Sequence, residues 1–131
     1  MLTVRIYSFS YRRGIPQDTT DNGGGFVFDC RSLHNPGRYD QYKMMNGLDG
    51  PVKEFLKKES AVDEFLAAVK MLVVQAVECY IRRDYTSLMV SFGCTGGQHR
   101  SVYCAQYLAD YLSKEYPNIQ VKLTHREQEK N

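Results

Sequence analysis

The stretch from Ser87 to Tyr116 most constrains what this chain can fold into. Ser87–Phe92 is an apolar run of strand length, Gly93–Arg100 is rich in glycine, and from Ser101 a helical spacing places Ala105, Leu108, Ala109 and Leu112 on one face. Pro117-Asn118 stops that helix, and Ile119–Leu123 reads as another strand. A continuously apolar strand is buried on both faces, and strand–helix–strand closes as a right-handed crossover between parallel strands. The fold class that follows is α/β, with a small sheet, mixed or partly parallel, flanked by helices.

The remaining segments fit that frame. Thr3–Ser10 alternates as a strand does, and Phe26-Val27-Phe28 is a short buried strand that delivers Asp29, Cys30 and Arg31. Residues 16–25 are polar and end in three glycines, which predicts a mobile loop. Residues 31–50 lack a clear period, as a long functional loop does. Pro51 opens a short helix to about Lys58. Ser60, with Asp63 three positions on, then caps a long amphipathic helix from Val62 to Arg82-Arg83. The 131 residues suit one domain over 1–131.

Composition excludes several classes. At 43% hydrophobic and 12% aromatic, the chain is neither disordered nor low-complexity. A net charge of +2 excludes a histone-like nucleic-acid binder. The longest apolar run is Phe65–Val69, too short for a membrane, and the N-terminus lacks a signal-peptide pattern. Cys30, Cys79, Cys94 and Cys104 form no Cys-x-x-Cys pair and no His lies at metal spacing, so reduced thiols, no metal, no cofactor and a cytoplasmic location are expected.

The chemistry concentrates in Gly93-Cys94-Thr95-Gly96-Gly97-Gln98-His99-Arg100-Ser101, at the carboxyl end of a strand where open α/β sheets bind ligands. Backbone N–H groups at a helix N-terminus favour an anion, and glycines allow close approach. Arg100 adds a bidentate donor, His99 a titratable one, and Thr95 and Ser101 hydroxyls. The prediction is a pocket for a phosphate group. No Walker or dinucleotide motif is present. An alternative is a cysteine-dependent phosphatase. Cys94 and Arg100 have the Cys-x5-Arg spacing of protein tyrosine phosphatases, with Gly93 where that family usually has His and Asp29 or Asp18 as general acid.

Three segments, Ser8–Pro16, Phe26–Gly37 and Gly93–Val102, joined by Gly47–Val52, make the chain resemble the C-terminal domain of the RapZ family over about residues 2 to 127. These are bacterial RNase adaptor proteins, also called nucleotide-binding proteins. The resemblance implies a regulatory domain that binds RNA and senses glucosamine-6-phosphate, with the glycine loop as the sugar-phosphate site. It carries over Thr95, Gly96, Gly97, His99, Arg100 and Ser101, with Cys94 and Gln98 in the same loop, and places Asp29, Arg31 and Asn35 across the pocket. His125-Arg126 matches a His-Arg near the family's C-terminus. Arg12, Arg13, Arg38, His125 and Arg126 are the candidates for RNA contact. The implied partners are a phosphorylated small molecule, small RNA, a partner protein and further copies of the chain. The family's N-terminal P-loop domain has no counterpart here, so a standalone domain without ATP binding is expected. Glu127-Gln128-Glu129-Lys130-Asn131 stands in place of a basic tail, which weighs against RNA binding. Tyr103, Tyr107 and Tyr111 recur every four residues, a stripe that serves either packing or base stacking.

Overall fold

The computed structural model describes residues 1–128; Glu129, Lys130 and Asn131 of the tail singled out above lie outside the described residues. The elements are β1 (Thr3–Ser10), β2 (Phe26–Asp29), α1 (Gly50–Lys57), α2 (Ser60–Arg82), β3 (Ser87–Cys94), α3 (Arg100–Glu115) and β4 (Gln120–His125). Single 3-10 turns occupy Pro36–Arg38, Asp40–Tyr42 and Arg126–Gln128.

The four strands form one sheet in the order β2-β3-β1-β4, and every pairing is parallel. This sharpens the expectation of a mixed sheet. A parallel neighbour needs a connection of about a dozen residues or more. Helices α1 and α2 supply it between the neighbours β2 and β3. Helix α3 carries the chain from β3 past β1 to β4, and the long Tyr11–Gly25 segment carries it without a helix from β1 past β3 to β2.

Register places apolar rows across the sheet. Ile6 lies beside Val90 and Leu123, and Phe28 beside Phe92. Val4, Ile6, Leu88, Val90 and Phe92 are buried against Val62, Leu66, Val69, Val73 and Val77 of α2 and Cys104, Ala105, Leu108 and Leu112 of α3. β3 is buried from Leu88 to Cys94, which explains why it is apolar on both faces apart from the buried Ser91. It extends two residues beyond the predicted strand, so Gly93 and Cys94 are strand residues. α2 starts at Ser60 with Glu59 as its cap, one residue before the expected cap, and Glu59 makes no side-chain capping bond.

The other sheet face is crossed by the 16–25 loop. Its centre is Asp18, which accepts hydrogen bonds from the Thr20 hydroxyl (2.6 Å), the Asn22 amide (2.7 Å) and Arg5 Nη2 (2.9 Å). Those bonds, the Thr20 hydroxyl first, hold its carboxyl far below the usual range. The tyrosine stripe on α3 packs instead of standing free: Lys70 Nζ lies 4.6 Å from the Tyr111 ring centre and 5.7 Å from that of Tyr107. Among the described residues, no helix is long and apolar enough to cross a membrane.

Because all strands run the same way, their carboxyl ends share one edge, where Ser10, Asp29, Cys94 and His125 lie. That edge depends on the packing beneath it. Leu108, 1% exposed, fills the space between α3 and the sheet. Leu108→Ala is expected to lower the unfolding free energy by about 2–5 kcal/mol in a denaturant titration.

Candidate functional site

Two connected hollows open at this edge. A small one of about 150 Å³ is lined by Arg12, Asn35, Gly37, Cys94, Thr95, Gly96, Gln98, His99 and Arg100. A larger one of about 500 Å³ adjoins it, shares Arg12, Gly96 and Gln98, and adds Ser10, Arg13, Met44, Met45, Asn46, Gly97, Glu127 and Gln128. The smaller holds most of the predicted loop and the N-terminus of α3, so the chemistry is sought there first.

Arg100 is the first residue of α3 and only 5% exposed. Its Nη1 donates to the carbonyls of Arg31 and Leu33, each at 2.9 Å, which lashes the segment after β2 to the helix. Its Nε is buried and, among the described residues, has no hydrogen-bond partner. None of the ion pairs among the described residues includes it. Buried charges are ordinarily paired, so an enclosed guanidinium facing a small hollow favours an anion there.

His99 and Gln98 build the opposite wall. His99 Nε2 lies 2.9 Å from the Tyr42 carbonyl. A carbonyl only accepts, so Nε2 carries a proton and donates it to that carbonyl. Gln98 Nε2 donates to the carbonyls of Lys43 (2.7 Å) and Met45 (2.6 Å). Gly47 backs this wall: a Cβ there would lie 2.3 Å from the His99 carbonyl and 2.7 Å from the Tyr103 amide nitrogen. Gly97 has φ +67°, and a Cβ would lie 2.8 Å from the Ser10 amide. Both positions require glycine.

Other predicted residues lie elsewhere. Asp29 and Arg31 do not line either hollow; Arg31 Nη2 pairs with Asp29 at 2.7 Å and the guanidinium stacks 3.8 Å over Tyr11. The Arg31 hydrogen bonds hold the Asp29 carboxyl below its ordinary value, the opposite of what a general acid needs. Asn35 borders the hollow, with Oδ1 accepting from the Gly37 amide at 2.9 Å. Cys94 borders the small hollow but is only 2% exposed, and its thiol donates to Ser101 Oγ at 3.1 Å. His125 packs on Ser8 Oγ at 2.7 Å and Gln106 Oε1 at 3.3 Å. Arg38 is exposed and stands away from both hollows.

A residue missed as a site element is Glu127. It accepts from Arg13 Nη1 at 2.6 Å, from the Ser10 amide at 2.9 Å and from Arg126 Nη2 at 2.9 Å. Arg126 Nη2 also donates to the Gly14 carbonyl at 2.8 Å. No local motif announces this clasp, because Ser10 and Arg13 lie over a hundred positions from Glu127 in the chain. Met44, Met45 and Asn46 were likewise hidden inside a loop without a period.

The sequence model described as the RapZ C-terminal domain matches residues 2–129. The chain belongs to the RapZ C-terminal domain family. Curated relatives of this RapZ-type domain include nucleotide-binding proteins of Pseudoalteromonas translucida, 40% identical over 129 residues, and Thermotoga neapolitana, 42% identical over 129 residues. Another, from Bacillus licheniformis, is 38% identical over 128 residues. The alignment covers 98% of this chain in each case and 41–43% of the relative, so the RapZ-type domain spans less than half their length.

The clasp has a pH signature. Burial pushes the Glu127 carboxyl up, but the bonds from Arg13, the Ser10 amide and Arg126 more than offset this and hold it below the usual glutamate range. Its contribution is therefore complete above that range and is lost as pH falls through the lowered value. Glu127→Gln is expected to lose about 1–3 kcal/mol at neutral pH. In thermal melts the gap to wild type should narrow as pH drops below about 4.

Proposed function

We propose that this domain binds a small phosphorylated metabolite at the carboxyl edge of its sheet. The phosphate occupies the small hollow and the rest of the ligand the larger one. The observation that carries this reading is the enclosed Arg100 guanidinium, which among the described residues has no ion-pair partner and an unpartnered Nε. The N-terminus of α3 adds the positive end of a helix dipole beside it. Arg12 borders both hollows and, among the described residues, its guanidinium has no ion-pair partner, so it is placed to close over an anion. Sugar phosphates suit the adjoining volume, and the family resemblance singles out glucosamine-6-phosphate. The relatives' name, nucleotide-binding protein, also points toward phosphorylated ligands.

RNA binding, which the same resemblance implies, draws less support from the side chains. Of the arginines nominated for it, Arg13 and Arg126 are tied to Glu127, leaving Arg12 and Arg38.

Thermal shift and calorimetric titration with glucosamine-6-phosphate, glucose-6-phosphate, AMP, inorganic phosphate and unphosphorylated glucosamine test the reading. A saturable rise in Tm with a phosphorylated compound and none with glucosamine is expected. Arg12→Ala should weaken binding about tenfold or more, because it removes one charge-assisted contact without touching the fold. Absence of any shift at millimolar phosphorylated ligand would overturn the assignment.

A further inference from the structure

The helices pack on one face of the sheet, where residues of α1, α2 and α3 join a single buried cluster with Leu88, Val90 and Phe92 of β3. Alternation along the strand turns Met89 and Ser91 to the other face. Register sets Tyr7 and Val27 on either side of Ser91. Parallel sheets are ordinarily covered by helices on both faces. Here the cover is the 16–25 loop, and between the loop and the sheet lies a hollow of about 610 Å³. That volume is within the range of small-molecule sites. The hollow shares no lining residue with the two at the carboxyl edge.

Its walls and charges select the occupant. Ile15, Pro16, Val27 and Met89 line it, and Ile15 and Val27 are exposed. On the sheet side Ser91 is only 1% exposed, and its Oγ has no hydrogen-bond partner among the described residues. A buried hydroxyl ordinarily has one, so this one is an open donor and acceptor for a ligand. Two carboxylates border the hollow. That of Asp18 is satisfied by the Thr20 hydroxyl, the Thr20 and Asn22 amides and Arg5. Asp21 is exposed and belongs to no ion pair among the described residues. No lysine or arginine lines the hollow. The unbalanced charge there is negative, which attracts a cation and repels a phosphorylated ligand. An exposed charge contributes little by itself, so the apolar walls and Ser91 must supply the rest.

We propose that this hollow is a second ligand site, for a small organic cation with an apolar ring or chain. Asp21 supplies the counter-charge, Ser91 one hydrogen bond, and Ile15, Val27 and Met89 hold the apolar part.

Titration of the isotope-labelled full chain with phenethylamine or benzamidine, followed by backbone amide shifts, tests the site. Saturable shifts are expected at Gly23–Val27 and Met89–Ser91. Phenethyl alcohol, which keeps the ring and loses the charge, should bind about threefold more weakly or worse, and Asp21→Asn should cost a similar factor. Ser91→Ala should weaken binding about threefold at an unchanged Tm, since the hydroxyl it removes has no partner among the described residues. Val27→Arg sets a cation at an exposed wall and should abolish the saturable shifts, with a melt showing that the chain is folded. No saturable shift at these residues with either cation at about 10 mM would overturn the proposal. So would an alcohol that binds as tightly as the amine, binding indifferent to both Asp21→Asn and Ser91→Ala, or unchanged binding to Val27→Arg.

Discussion

The enclosed positive charge of Arg100 is the interaction around which the sheet's carboxyl edge is arranged. A cation taken out of water needs compensation, and here it comes from carbonyls instead of a carboxylate. Because those carbonyls belong to Arg31 and Leu33, compensating the charge also fixes the path of the chain after β2. The backbone continues the link, with the Cys30 amide donating to the Gly93 carbonyl at 2.7 Å. The end of β2, the end of β3 and the start of α3 are thus one unit. Two carbonyl dipoles offset a full charge only in part, and the Nε has no partner among the described residues.

The wall facing Arg100 is built by a different economy. Residues 36–47 include two single 3-10 turns and little else that is regular. They are held because Gln98 and His99 spend their donors on carbonyls of Tyr42, Lys43 and Met45. Two side chains that resemble ligand-binding groups therefore shape the cleft first. What is left to meet a ligand is His99 Nδ1, the Arg100 Nε, the exposed Arg12 and the free amides of the α3 N-terminus. Most of these are fixed before a ligand arrives, which keeps the ordering cost of binding small.

Much of this was legible in the residues, and the remainder was not for identifiable reasons. The apolar stretch of β3, the glycine turn and the period of α3 are local signals, and they placed the glycine loop at the carboxyl end of a central strand, where the structure has a small hollow. The wholly parallel pairing was hidden because strand order depends on connections as irregular as Tyr11–Gly25. Residue roles within the site were harder still. Asp29 and Arg31 lie two positions apart, and this spacing lets them satisfy each other beside the pocket instead of facing it. Glu127 read only as part of a tail standing in place of a basic one, because only the folded chain brings it to Ser10 and Arg13.

That clasp changes the meaning of the charge count. With 17 basic and 15 acidic residues, the chain is nearly balanced, but its charges are not interchangeable. At the cleft, Arg13 and Arg126 share one carboxylate, Arg100 is enclosed, and Arg12 belongs to no ion pair among the described residues. A polyanion binds through rows of accessible cations whose counterions it displaces. A compact dianion needs a single sheltered charge, oriented donors and room for its substituent. The distribution at this edge is of the second kind, with Arg100 bordering a hollow of about 150 Å³. Near-neutrality of the whole chain thus conceals an uneven placement of charge at this edge.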